Sequence, residues 1–350
     1  VRNWVRNLVG PDAEARSVIA ALDSTQQKIV FVVDEQRRLL GSITDGDVRR
    51  ALLRGLDLSA PAEHVMNHTP ITASISVARD EVITRMRSAS IRYMPLLDGD
   101  GIVLDIAALN DEEDAGGKDN WVVLMAGGLG TRLRPLTDDV PKPLIPVGGK
   151  PLLETIIQCF IDHGFRRFFV SLNYKGELIK QHFGDGSRLG CQIIYIEEDE
   201  RMGTAGALRL LPDRPTAPLI VMNGDLLTSV NFSHLLDYHR EHKSAATMCV
   251  REYNFQVPFG VVEMDAHRII RIEEKPLQRF FVNAGIYVIN PHLLNLMPDT
   301  GFYDMTELYA KAIEGGNAVA AFPVREYWLD IGRHDDLKRA NLEFAEVFAR

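Results

Sequence analysis

From Trp121 onward, short apolar runs alternate with longer segments whose apolar residues recur at helical spacing, and few architectures accept that alternation. The strand-like runs cover residues 121–125, 167–172, 192–197 and 219–223, with helical patterns over 151–163, 177–183 and 205–211. Strand and helix in succession predict an α/β domain with a mainly parallel sheet covered by helices. Ligands in such sheets bind at the carboxyl ends of strands. Here those ends carry glycines and an acid: Ala126-Gly-Gly-Leu-Gly130 after the first run and Asn223-Gly-Asp225 after the fourth.

The 350 residues allow two or three domains and a core that needs no disulfide or zinc staple. Lys and Arg number 39 against 48 Asp and Glu, a net charge of -9. The excess of acid holds both in residues 1–116, with 13 basic and 18 acidic side chains, and in the remainder, with 26 and 30. A nucleic-acid partner is therefore not expected, because neutralising a phosphate backbone takes a concentrated basic face. The apolar runs fall far short of the roughly 20 residues that cross a bilayer, so no membrane span is expected. The chain opens on Val1 with no basic-then-apolar leader, which reads as a trimmed rather than a secretory amino end. Cys159, Cys191 and Cys249 form no metal or redox spacing and read as buried, reduced thiols of a cytoplasmic protein.

An acidic, glycine-containing stretch over residues 110–120 separates two halves. We place a linker at 112–119, a repeat-containing amino-terminal region at 1–111, and the α/β domain at 120–347. Within the first region a pattern of helix, two strands and helix occurs twice, over about 10–58 and 62–110. The first copy contains Gly41-Ser-Ile-Thr-Asp-Gly-Asp47 ahead of a helical stretch. This phrase resembles the signature of CBS domains, paired small α+β modules that often hold purine nucleotides. The resemblance implies that Thr44 and Asp47 face the phosphate or ribose of a regulatory nucleotide; equally, a Thr and an Asp at a helix start can simply cap it. The second copy places Leu104 and Ala107 at the matching positions, so at most one such site is complete. Paired CBS modules commonly associate, and a homo-oligomer is expected.

Ala126-Gly127-Gly128-Leu-Gly130-Thr131-Arg132 directly follows the first strand, and Pro141-Lys142-Pro143 lies a little beyond. Glycines there let backbone N–H groups approach a phosphate chain, while Arg132 and Lys142 add positive charge. The phrase is neither a Walker loop nor a GxGxxG fingerprint. It closely resembles the signature of the sugar-1-phosphate nucleotidyltransferases, whose fold is Rossmann-like and related to GT-A domains. That resemblance makes Arg132, Lys142 and Asp225 catalytic. It makes Ala126, Gly127, Gly128, Gly130, Thr131 and Gly224 nucleotide-binding, and Asp225 with Asp330 the ligands of Mg²⁺, a cation that prefers oxygen.

Other stretches resemble further elements of the same family. Gly203-Thr204-Ala205 looks like its base-binding turn, at the start of a helix whose N-terminus can face the nucleotide. Glu198 stands five residues earlier, where thymidylyl-transferring relatives tend to carry glutamine. A carboxylate accepts hydrogen bonds and donates none, which suits the N1–H and N2–H₂ edge of guanine and favours GTP. The alternative is a solvated acidic loop, since Glu198 lies within Glu197-Glu-Asp-Glu200. Gly260, Glu274, Lys275 and Asn283 match the elements that hold the sugar phosphate.

The implied reaction is in-line attack of a sugar 1-phosphate on the α-phosphorus of a nucleoside triphosphate, releasing pyrophosphate. The CBS pair, together with Phe302-Tyr-Asp304 and Arg325-Glu-Tyr-Trp-Leu-Asp330, most resembles glucosamine-1-phosphate guanylyltransferases of bacterial legionaminic acid biosynthesis. Mannose, another hexose or a heptose remain alternatives for the sugar, and uridylyl transfer for the nucleotide. The chain's end at Arg350 is expected to leave no β-helix domain of the kind some relatives carry. A different reading makes the CBS pair a nucleotide sensor or oligomerisation device attached to an inert transferase.

Overall fold

The computed structural model describes residues 4–25, 28–89, 91–109 and 118–348. The chain divides into two compact units, Val1–Gly116 and Gly117–Arg350. Most of the expected linker, and the short helix expected to close the second repeat, lie outside the described residues.

In the amino-terminal unit the repeat is visible as topology. Strand Leu8–Val9 pairs parallel with Ile29–Val33, which pairs antiparallel with Leu39–Thr44. Strand Ala73–Ser74 likewise pairs parallel with Tyr93–Leu97, which pairs antiparallel with Val103–Ala108. Each three-stranded sheet is covered by its own amphipathic helix, Ala15–Ser24 or Arg79–Ser88, which turns Val18 and Leu22, or Val82 and Met86, into the core. Those pairs are spaced by four residues, one helical turn.

The second unit is built on a seven-stranded sheet. Its order is Gln192–Glu197, Phe165–Leu172, Lys118–Met125, Leu219–Asn223, Leu277–Ile289, Ala246–Gln256 and Val319–Pro323. The first four strands are mutually parallel, the next two pairings are antiparallel, and the last is parallel. Helix Leu152–Asp162 shows why the elements hold. Its apolar residues cover one broad face, and six of them from Leu152 to Ile161, together with Thr155, are buried. Phe160 stacks on Phe232 with ring centroids 3.7 Å apart, an arrangement worth about 1 kcal/mol beyond its area.

Two features of this sheet position the site. From the central strand Lys118–Met125 the chain first adds strands on one side, then crosses to place Leu219–Asn223 on the other. That reversal opens a crevice at the carboxyl ends of these two strands, where α/β sheets bind ligands. Second, the strands Ala246–Gln256 and Leu277–Ile289 run past the sheet as an arm, joined by the hairpin Val261–Asp265 and Arg268–Glu273. Phe259, Ile269, Ile270 and Ile272 on this arm are all at least 60% exposed.

Candidate active site

Met125 and Asn223 are paired in register at the ends of adjacent parallel strands, and Gly224 N–H donates to Met125 O at 2.9 Å. A Cβ on Gly224 would lie 2.7 Å from that carbonyl, so only glycine lets the two strand ends close up. The loop after Met125 then leaves the sheet. Ala126 N–H donates to Ser171 O at 3.0 Å, which removes Ala126 as a phosphate donor. Gly127, Gly128, Leu129 and Gly130 have no backbone partner for their N–H groups among the described residues. Four consecutive open donors are available to an anion. Gly130 has a φ of +62°, and Thr137 Oγ1 donates to its carbonyl at 2.8 Å, fixing the far end of the loop.

Four charged groups converge beside it. Lys142, only 8% exposed, places Nζ 2.6 Å from Asp225 Oδ2. Strand Leu226–Thr228 pairs antiparallel with Trp328–Asp330, putting Leu226 opposite Asp330, and Ile331 N–H donates to Asp225 O at 3.0 Å. The carboxyl of Asp330 is open to solvent on one side. Burial by the surrounding protein and the nearby Asp225 carboxylate push it above the usual range, against the opposing pull of Lys142 and Arg132. Arg132 lies against Gly332, where a Cβ would meet its guanidinium at 3.2 Å. Arg132, Lys142, Asp225 and Asp330, distant in sequence, thus share one crevice.

On the opposite side of the loop, Glu198 is the one residue of its acidic run that turns inward, while Glu197, Asp199 and Glu200 are exposed. Its carboxylate accepts from Ser171 Oγ and from Met202 N–H. A Cβ on Gly127 would lie 3.2 Å from Glu198 Oε1, so loop and carboxylate are in contact.

The turn at Gly203 differs from expectation. Instead of a helix over 205–211 there is a single helical turn, Gly203–Gly206, followed by a 3-10 turn, Ala207–Leu210. The donors that follow Gly203 are not free for a nucleotide. Thr204 N–H and Oγ1 donate to Asp304 Oδ1 at 2.9 and 3.0 Å, and the N–H groups of Ala205 and Gly206 donate to Tyr303 O. Gly203, at φ +84°, passes so close to Tyr303 that a Cβ would sit 2.5 Å from its carbonyl oxygen. Thr204 and Ala205 therefore hold the turn to the Tyr303-Asp304 segment, and their backbone donors cannot serve the ligand as well.

The residues expected to hold the sugar phosphate lie on or next to the arm. Gly260 and Glu274 are brought together, with a Cβ at 260 falling 2.9 Å from Glu274 Oε2. Asn283 donates from Nδ2 to Tyr287 Oη at 2.8 Å and accepts from Gly285 N–H at 2.9 Å. Trp328 Nε1 donates to Ala284 O at 2.9 Å, tying this strand to the one that carries Asp330. Among the described residues no hydrogen bond or ion pair joins Glu274 or Lys275 to the Lys142–Asp225–Asp330 group.

In the amino-terminal unit, Thr44 and Asp47 form a reciprocal capping box on helix Asp45–Leu53. Asp47 Oδ2 accepts from Thr44 N–H and Oγ1, and Oδ1 accepts from Arg50 at 2.5 Å. Both carboxylate oxygens are thus committed to the helix start, which favours the capping reading over a ribose contact. Of the cysteines only Cys249 is buried. Cys159 and Cys191 are half-buried, and burial pushes the Cys159 thiol up to about 12.

Known families match on both sides of the division. The family described as nucleotidyl transferase matches residues 121–347, which include every residue of the crevice. The chain belongs to the nucleotidyl transferase family. The CBS domain family matches residues 8–54, and the second three-stranded repeat follows that match. A mannose-1-phosphate guanylyltransferase catalytic subunit beta from Danio rerio is 33% identical, over 61% of this chain and 61% of its own length. A UTP–glucose-1-phosphate uridylyltransferase from Synechocystis sp. is 30% identical, over 62% of this chain and 61% of its own. The chain thus spans under two thirds of the length of these curated relatives. The solved structure of HddC from Yersinia pseudotuberculosis complexed with GMP-PN superposes with a TM-score of 0.51 at 26% identity, covering 64% of this chain and 99% of that one. Ser171 carries no motif of its own, and Asp304 enters the sequence reading only within Phe302-Tyr-Asp304, with no role of its own; the folded structure shows Thr137, Ser171 and Asp304 bracing the loop, Glu198 and the Gly203 turn.

Proposed function

We propose that the chain transfers a guanylyl group from GTP to a hexose 1-phosphate, forming a nucleotide sugar and pyrophosphate. The observation that carries this reading is the crevice itself: four open loop N–H groups beside Arg132, with Lys142, Asp225 and Asp330 across from them. The loop amides and Arg132 hold the β- and γ-phosphates. Lys142 screens the negative charge between the attacking oxygen and the α-phosphate, bringing two anions into line. No covalent intermediate with the protein is required.

Asp225 and Asp330 fit Mg²⁺: Asp225, in the turn just before strand Leu226–Thr228, and Asp330, at the end of the strand paired with it, offer oxygen donors, and their mutual repulsion is what a divalent cation would relieve. Among the described residues no third His, Cys, Asp or Glu joins them, so the remaining ligands would have to come from substrate and water. When bound, the ion neutralises phosphate charge. GTP is favoured by the inward Glu198 carboxylate. For the sugar, Glu274 beside Gly260 accepts from hydroxyl groups and Lys275 holds the phosphate. The names of the guanylyltransferase relatives support mannose 1-phosphate, and the motif resemblance supports glucosamine 1-phosphate.

Pyrophosphate release with Mg²⁺, measured for GTP, ATP, UTP, CTP and dTTP against mannose, glucosamine and glucose 1-phosphates, tests the reading. Turnover selective for GTP is expected. Selectivity for UTP or dTTP overturns the guanine assignment, and no turnover with any pair favours the sensor reading of the CBS unit.

A further inference from the structure

Ser171 belongs to neither the phosphate loop nor the base turn, yet it touches the working parts of both. It is fully buried near the end of strand Phe165–Leu172. Its carbonyl accepts from Ala126 N–H at 3.0 Å, anchoring the first residue of the loop. Its hydroxyl donates to Glu198 Oε1. Three more bonds fix residue 198: Met202 N–H to Oε2 at 3.2 Å, Asn173 Nδ2 to the Glu198 carbonyl at 2.9 Å, and Glu198 N–H to Leu172 O at 2.9 Å.

We infer that Ser171 is a positioning residue that sets base selectivity by orienting the Glu198 carboxylate against the loop. This rests on the guanine reading above. A carboxylate offers about four lone-pair sites on two oxygens. Ser171 and Met202 each occupy one site on a different oxygen, which stops the group from rotating. One lone pair per oxygen remains, a two-acceptor edge matched to the two-donor edge of guanine, N1–H and N2–H₂. Without the hydroxyl, the Glu198 carboxylate is held only through Met202 and can swing, while its backbone stays fixed. The acceptor paired with the exocyclic amine is then no longer fixed, although the loop and the charged groups stay in place. Sites built to bond a substrate N–H discriminate strongly against an analogue that lacks it.

Inosine triphosphate, which lacks only the 2-amino group, isolates that contact. Pyrophosphate release with one sugar 1-phosphate yields kcat/KM for GTP and for inosine triphosphate in wild type, Ser171→Ala and Ser171→Thr. Wild type is expected to prefer GTP by on the order of tenfold or more. In Ser171→Ala the ratio should fall to within about twofold of unity, mainly through loss on GTP, and Ser171→Thr should restore it. If Ser171→Ala lowers both substrates alike and keeps the ratio, Ser171 is merely structural and the inference fails. If wild type does not prefer GTP over inosine triphosphate and the other triphosphates, the guanine reading itself fails. Should Ser171→Ala not fold, Ser171→Cys retains much of the volume with a much weaker donor and should show the same fall in ratio.

Discussion

Lys142 and Asp225 form a short ion pair, 2.6 Å between Nζ and Oδ2, in which the lysine side chain is 9% exposed and the aspartate 31%. Burying an ammonium can cost more than such a pair returns, and under the proposed function this buried charge sits beside four open backbone donors to meet the triphosphate. Lys142→Ala should therefore lower kcat by about 100- to 1,000-fold while KM for the triphosphate changes less than about threefold. Steady-state kinetics separate the two. A rise in KM with kcat intact would place Lys142 in ground-state binding only.

The Gly203 turn gives a stability prediction. Its φ of +84° and the 2.5 Å approach of a Cβ to Tyr303 O mean that Gly203→Ala should destabilise the protein by about 1–3 kcal/mol, read from urea unfolding. Gly128→Ala, with nothing within 4 Å of the added carbon, should leave stability unchanged. Equal effects of the two would refute the contact argument.

Asp304 joins two duties, accepting from Thr204 and capping helix Met305–Glu314 in a reciprocal box with Glu307. Asp304→Ala should cost about 1–2 kcal/mol for the lost cap and raise KM for the triphosphate more than KM for the sugar phosphate. A KM change confined to the sugar would disconnect this segment from base binding.

These predictions depend on residues of unequal visibility in the sequence. The glycine loop stands out because it directly follows an apolar strand, whereas Lys142 and the two aspartates are singled out through the resemblance of their surrounding phrases to family motifs; the structure brings their side chains together. The strands Gln192–Glu197 and Leu219–Asn223 are read correctly to the residue because they are apolar runs with clear periodicity. Ser171 is not legible: it is 27 residues from Glu198, and a serine inside a strand carries no signal until the two strands pair. The short turn Gly203–Gly206 is read as a longer helix because its propensity is overridden by tertiary bonds to Tyr303 and Asp304. The arm strand Arg268–Glu273 is exposed at every residue, so the alternation that marks a half-buried strand is absent.

His239 supplies a pH prediction. It is buried, with Nδ1 2.9 Å from Thr247 Oγ1 and Nε2 3.2 Å from Asn290 Oδ1. Asn290 Nδ2 donates to Ser244 O, which leaves Oδ1 to accept from His239 Nε2–H and Nδ1 to accept from Thr247. Burial lowers the pKa of the ring, against the bond to Asn290 and with the charge of Arg240. A lowered folded-state value means that this contribution to stability is complete above the unfolded value, about 6.5, and is lost as pH falls through the folded value. Thermal unfolding should show Tm falling from pH 7 to pH 5, with a smaller drop in His239→Gln. An identical slope in the variant would assign the effect to other groups.

The most direct test of the account follows the α-phosphate. Wild-type protein is mixed with GTP labelled at the α-phosphorus, Mg²⁺ and either mannose or glucosamine 1-phosphate, and the products are separated. In-line guanylyl transfer in this crevice predicts label in a nucleotide sugar, unlabelled pyrophosphate in equal amount, and neither product from Asp225→Asn. Label that stays in GTP, or appears in GMP or GDP without a nucleotide sugar, contradicts it.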